Sequence, residues 1–149
     1  MGRQRGRVFT RLGRHVQSCS VLTLVKAPFP HFPHVVGMAE QPLMNEAGAQ
    51  IISLPQETQF AANGIVSRTL LRTAHGRVVL FGFAEGQELT EHTSTQHALV
   101  QVLSGECDFT LAGQLHILQT GDLLNMPPNL PHAVKARGPF SLLLTLFKP

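Results

Sequence analysis

The chain has 149 residues, 43% of them apolar and 14% charged, with a formal net charge of +3. That length fits one domain with a tail, and the composition can fill a core, which excludes wholesale disorder. No apolar run nears the roughly 18 residues of a membrane span, and two cysteines, Cys19 and Cys107, are too few for a disulfide framework and lack CxxC spacing.

The charge is unevenly spread. Residues 1–39 carry Arg3, Arg5, Arg7, Arg11, Arg14 and Lys26 and no acid, whereas the other 110 residues carry six bases and nine acids. Residues 1–40 are therefore read as a separate basic segment, either disordered or leader-like. An Arg-rich, acid-free leader would direct the chain to an organelle; otherwise a cytoplasmic location is expected. Met38 offers a second starting point, which would leave residues 1–37 outside the native chain. A basic arm can bind nucleic acid, but a nucleic-acid partner is not the expected role here, and neither is a membrane. A secretory signal is a poor fit, because Val21-Leu22-Thr23-Leu24-Val25 is shorter than the roughly 7–15 apolar residues required. Pro28, Pro30 and Pro33, interleaved with His31 and His34, mark an extended linker.

Beyond it, residues 45–149 read as one folded domain. Short β-branched or aliphatic runs recur between Gly, Pro, Asn and polar pairs. They are Gln50–Leu54, Ile65–Thr73, Arg77–Ala84, Glu88–Ser94, Ala98–Leu103, Cys107–Leu111, Gln114–Leu118, Asp122–Met126, His132–Ala136 and Phe140–Phe147. Ten short strands at this spacing predict an all-β sandwich or barrel. Ala112-Gly113 and Thr120-Gly121 carry hairpin-like turn signals. Pro127, Pro128 and Pro131 lack the N–H that a central ladder needs, so they predict a stiff loop leading into His132.

The stretch from Gly86 to Ala136 carries the chemistry. Gly86, His92 and Gly105 stand at the spacing of one motif, and Gly121, Pro127 and His132 at the spacing of a second. Over residues 75–147 the chain resembles a small single-domain cupin of the RmlC-like jelly-roll class. The first cupin motif is Gly, five residues, His-x-His, three or four residues, Glu, six residues, Gly. The second is Gly, five residues, Pro-x-Gly, two residues, His, three residues, Asn. The resemblance implies a double-stranded β-helix, or jelly-roll barrel.

Four positions depart from those motifs. Ser94 replaces the second histidine, Ala98 the glutamate, Asn129 the glycine of Pro-x-Gly, and Ala136 the final asparagine. Asn129 is a mild change, since asparagine tolerates positive φ. Ser94 and Ala98 are severe. The family's metal site implies three histidines and a carboxylate, of which His92 and His132 survive. Two imidazoles fall short of the three or four protein ligands that a divalent transition metal usually takes. His97 is a candidate third ligand, displaced by one residue from Ala98, if Thr95-Gln96-His97 forms a turn in which strand alternation fails. His92, His97 and His132 would then hold iron, manganese, nickel or zinc.

Ser94, Met126 and Phe83 are the expected pocket-lining residues. Glu88 shares the parity of His92 and is a candidate general base, whereas Glu91 should face away. His75 and His116 are expected on the surface, and Cys107 is expected as a buried, inert thiol. The run from Leu142 to Phe147 is apolar on both faces, so one face needs cover, and the resemblance likewise implies a homodimer. Two readings of function follow. The first is a small-molecule-binding cupin with a degenerate histidine pocket. The alternative is a small metal-dependent, non-haem oxygenase or isomerase.

Overall fold

Alternation along short strands decides the architecture, because each strand buries one face and exposes the other. The computed structural model describes residues 41–148 and, as backbone, the two-residue strand β1 (Val21–Leu22). The other expectations for residues 1–40 lie outside the described residues. A one-turn helix, α1 (Leu54–Glu57), precedes the strands β2 (Ile65–Arg72), β3 (Gly76–Phe83), β4 (Glu88–His92), β5 (His97–Ser104) and β6 (Glu106–Leu111). The strands β7 (Gln114–Gln119), β8 (Leu123–Met126), β9 (His132–Ala136) and β10 (Phe140–Phe147) follow.

Every pairing is antiparallel, in a six-stranded sheet ordered β1-β2-β3-β10-β5-β8 and a four-stranded sheet ordered β4-β9-β6-β7. From β3 onward the chain switches sheets at each connection except the β6–β7 hairpin, which is the winding of a jelly roll. The two sheets face each other without being hydrogen-bonded into a closed barrel, so the expected barrel is corrected to an open double sheet.

Two local expectations also need correction. Gln50–Leu54 is not a strand. Ile51 is fully exposed, and Pro55 occupies the first turn of α1, where its missing N–H is harmless, rather than a ladder, where it is not. Thr120-Gly121 is a turn, with Gly121 at φ 97°, but it carries the chain from β7 to β8 in the opposite sheet rather than closing a hairpin. Ala112-Gly113 does close one, with φ values of 46° and 81° and Leu111 opposite Gln114.

The core lies between the sheets. Phe83 stacks on Phe140 with ring centroids 4.5 Å apart, among Ile65, Val100, Phe109, Met126, Val134 and Leu142. Each such side chain contributes about 1.5–3 kcal/mol by leaving water. The outer face of the six-stranded sheet is covered at one end by the segment before β2. Leu43 and Met44 donate their backbone N–H groups to Thr69 and Leu70. Arg68 donates to the Glu57 carboxylate and carbonyl, and a Cβ on Gly82 would lie 2.1 Å from the Gln59 carbonyl.

Two motif positions show why their residue types matter. Gly105 has φ 73°, and a Cβ there would come within 2.5 Å of the Pro139 carbonyl oxygen and 2.7 Å of the Phe140 Cβ, so no side chain fits. Asn129, in place of the motif glycine, takes φ 63°, as its tolerance of the left-handed region leads one to expect.

Cys107, the free cysteine among the described residues, is fully buried. Burial, and secondarily the Asp108 carboxylate, push its thiol from an ordinary 9.0 up to about 12. The folded state therefore keeps a proton that the unfolded state gives up, and the stability this provides is complete below pH 9.0 and lost as pH rises toward 12. In a Cys19→Ser background, urea unfolding from pH 8 to 11 should show stability falling faster with pH than in the Cys107→Ala variant, by up to about 1.4 kcal/mol per pH unit. Equal slopes would show that the thiol is not protected.

Candidate functional site

One extra residue in β4 builds the site. Leu89 stands opposite Val134, and His92 opposite His132, so three steps on β4 match two on β9. This bulge at Thr90-Glu91 sends both Leu89 and His92 toward the interior. The rings of His92 and His132 lie 4.2 Å apart, tilted by 55°. His132 is 9% exposed and lies nearly parallel to Phe109, at a centroid distance of 6.3 Å, while His92 stands at the solvent side.

Each ring is fixed by a backbone carbonyl two residues before it. His92 Nδ1 and His132 Nδ1 donate to the carbonyls of Thr90 and Leu130, both at 2.8 Å. A carbonyl can only accept, so Nδ1 carries the proton, and in the neutral ring Nε2 keeps its lone pair. Neither Nε2 has a protein partner among the described residues. Two neighbouring imidazoles thus offer hydrogen-bond acceptors to whatever enters.

They front a cavity of about 840 Å³ between the sheets. Phe81, Leu89, Ala98, Met126, Leu144 and Leu146 supply its apolar wall. Thr93, Ser94, Thr95 and Gln96 form one rim, and Arg77 and Lys148 stand at another part of the mouth. Beneath the imidazoles a void of about 50 Å³ reaches down to Phe83 and Phe109. The Pro127–Pro131 loop is held by the Asn129 N–H donating to the Ser94 carbonyl at 2.6 Å and by the Ala112 N–H donating to the Pro131 carbonyl.

The expected site residues separate accordingly. His92, His132, Ser94 and Met126 meet at the cavity, and Phe83 lines only the deeper void. Ser94 Oγ is engaged by the Gln96 backbone N–H. His97 does not join the pair. It is the first residue of β5, alternation already holds there, and with Ala98 buried inward His97 faces out, where it bonds the Asn125 side chain. The triad of His92, His97 and His132 is therefore not assembled. Glu88 is displaced for a different reason, because the bulge inverts parity and places it on the outer face with Asp108 and Lys135. Arg77 and Lys148 were missed, although strand period shows them: Arg77 shares a face with Val79, Phe81 and Phe83, and Lys148 continues Leu142, Leu144 and Leu146.

Comparison with known proteins agrees with this fold. The family model of the cupin domain matches residues 79–146. A conserved Streptococcus pyogenes protein of unknown function is 31% identical, with a TM-score of 0.64 over 74% of this chain and 97% of its own. The chain belongs to the cupin family. A cupin 2 conserved barrel domain protein from Leptotrichia buccalis is also 31% identical, with a TM-score of 0.62 over 65% of this chain and 47% of its own. Salicylate 1,2-dioxygenase from Pseudoaminobacter salicylatoxidans, at 17% identity and a TM-score of 0.53 over 56% of this chain and 26% of its own, shares the fold alone. No curated protein matches the chain.

Cupins of the pattern described above hold a transition metal with four side chains, and this cupin does not supply that set. His92 and His132 give two donors, and no group of three or more His, Cys, Asp or Glu gathers among the described residues. Ser94 and Ala98 stand where the others would be. The donor set does not fit such a metal, which wants three or four protein ligands.

The hydrogen bonds make the tautomer testable. Long-range ¹H–¹⁵N correlation spectra should show His92 and His132, when neutral, protonated at Nδ1 and bare at Nε2. The opposite tautomer at either ring would show that its nitrogen is not held by the backbone carbonyl.

Proposed function

We propose that this cupin is a small-molecule-binding protein whose pocket receives its ligand between the His92–His132 pair and the apolar wall. The observation that carries the reading is the meeting of two oriented imidazoles with an 840 Å³ cavity. A pocket of this size suits a metabolite, and a mostly apolar lining with a few convergent polar groups is the usual form of such a site. The missing carboxylate leaves Ala98 on the wall, which widens the space and removes a negative charge. Ser94, Thr93 and Thr95 add hydroxyl groups at the mouth that suit a polar ligand.

The second reading is a small metal-dependent oxygenase or isomerase. One observation favours it: both neutral rings keep Nε2 bare, the form in which histidine ligates metals. Elemental mass spectrometry on the tag-free full chain, after reloading with iron, manganese, nickel and zinc, separates the two. Under the binding reading, metal stays far below one per chain in the wild type and does not change in His92→Ala or His132→Ala. Near-stoichiometric metal, lost in both variants, would replace the binding reading with the metalloenzyme.

Homodimerisation through the outer face of the six-stranded sheet completes the proposal. Leu143, Gln101 and Leu123 form one cross-strand row there, and Leu123 is 66% exposed. Phe147 and Leu99 widen the apolar area. Light scattering should give twice the mass of the chain, falling to one chain in Leu123→Glu; a monomeric wild type would remove the dimer.

A further inference from the structure

The distribution of charge around the cavity assigns a chemical class to its ligand. Residues 40–149 carry six bases and nine acids, so a basic patch on this part of the chain runs against its overall balance. Three of the six bases have acidic neighbours. Arg68 pairs with Glu57 and Arg137 with Asp108, and Lys135 stands in register with Glu88 and Asp108 on the outer face.

The remaining three, Arg72, Arg77 and Lys148, gather at one place. They line a cleft of about 240 Å³ with Thr73, Gly76 and Gln96, and Arg77, Gln96 and Lys148 also line the large cavity. The cleft is therefore continuous with the cavity mouth. No carboxylate lines either space among the described residues.

Strand register makes the gathering costly. Arg72 and Arg77 are direct cross-strand partners, and like charges placed opposite each other destabilise a sheet. Arg77 is aimed by its place on β3, opposite the buried, inward-facing Leu146. Lys148 is tethered by its backbone N–H, which donates to the His75 carbonyl at 2.7 Å. An anion at this point would relieve the repulsion and take the paired donors of a guanidinium. From the same mouth, Phe81, Leu144 and Leu146 lead inward, so whatever bears the anionic group continues into an apolar channel ending at the histidines.

From this the geometry points to a small organic anion as the ligand of the cavity, with its carboxylate or phosphate on Arg77 and Lys148 and its apolar body against Phe81, Leu144 and Met126. The inference rests on the reading that the cavity binds a small molecule, and it adds the charge and polarity of that molecule.

The test uses the full chain with four probes: benzoate, phenyl phosphate, the neutral isostere benzamide, and inorganic phosphate. Binding is read from the His92 and His132 ring signals by NMR titration at low ionic strength. Benzoate or phenyl phosphate should bind about tenfold or more tightly than benzamide, the scale of one charge-assisted hydrogen bond. Inorganic phosphate, lacking the apolar body, should bind more weakly than phenyl phosphate. Arg77→Gln should abolish the preference for the charged probes, and Lys135→Gln, on the outer face, should leave the preference intact. Because Arg77→Gln keeps the basic N-terminal segment, loss of the preference in that variant places the anion at the cavity. Equal binding of benzoate and benzamide, or a preference that survives Arg77→Gln, would overturn the anion inference while leaving the pocket reading in place. Failure of all four probes to move the ring signals at millimolar concentration would overturn both.

Discussion

The register between β4 and β9 is the constraint on which the site depends. A regular ladder would alternate Leu89, Glu91 and Thr93 on one face and leave His92 outside. The bulge at Thr90-Glu91 resets the count, so Leu89 still plugs the core and His92 still turns inward opposite His132. The same bulge frees the Thr90 carbonyl to accept from His92 Nδ1. Position, orientation and tautomer of one imidazole thus share a single backbone irregularity. The partner ring obtains the same result from the proline-rich lead-in, where the Leu130 carbonyl fixes His132.

What the two substitutions at Ser94 and Ala98 remove is as consequential as what the histidines retain. A carboxylate at position 98 would place a negative charge on a wall shared with Leu146 and Met126, its register partners. Alanine leaves that wall apolar and the cavity wide. Without an internal anion or a complete donor set, the strongest fixed charges facing the cavity are those of Arg77 and Lys148. The fixed charge facing the cavity is therefore positive, and its mouth favours an anion rather than a cation.

Much of this was legible in the sequence, because the signals involved are periodic. Nine of the ten expected strands form, with the bounds of His132–Ala136 and Phe140–Phe147 unchanged; the tenth, Gln50–Leu54, failed because Pro55 favours a helical turn. The paired motifs located His92 and His132 through glycines and prolines whose backbone requirements are local. Glu88 and His97 were misplaced by opposite errors. Alternation is broken by the bulge in β4 and holds at the start of β5. A bulge depends on how two strands pair, which neither strand encodes alone. Arg77 lies outside the two motifs, whereas the cavity is lined by every strand that faces it.

One strand links the cavity to the surface proposed for the dimer. β10 turns Leu142, Leu144 and Leu146 inward and Leu143, Thr145 and Phe147 outward. Its neighbours β3 and β5 do the same, carrying Arg77 and Phe81 on the cavity side of one and Ala98 on that of the other. The competing uncovered apolar area, Leu115 and Ile117 on the edge strand β7, is narrow. It borders the charged row of Glu88, Lys135 and Asp108, which disfavours burial beside it. The outer face of β10, β5 and β8 has no charged residue in its Leu143–Gln101–Leu123 and Thr145–Leu99–Asn125 rows. A second copy seated there would press on the backs of the strands that carry the apolar wall. Close packing makes such a wall stiff rather than compliant, so subunit contact and ligand fit would be set by the same three strands.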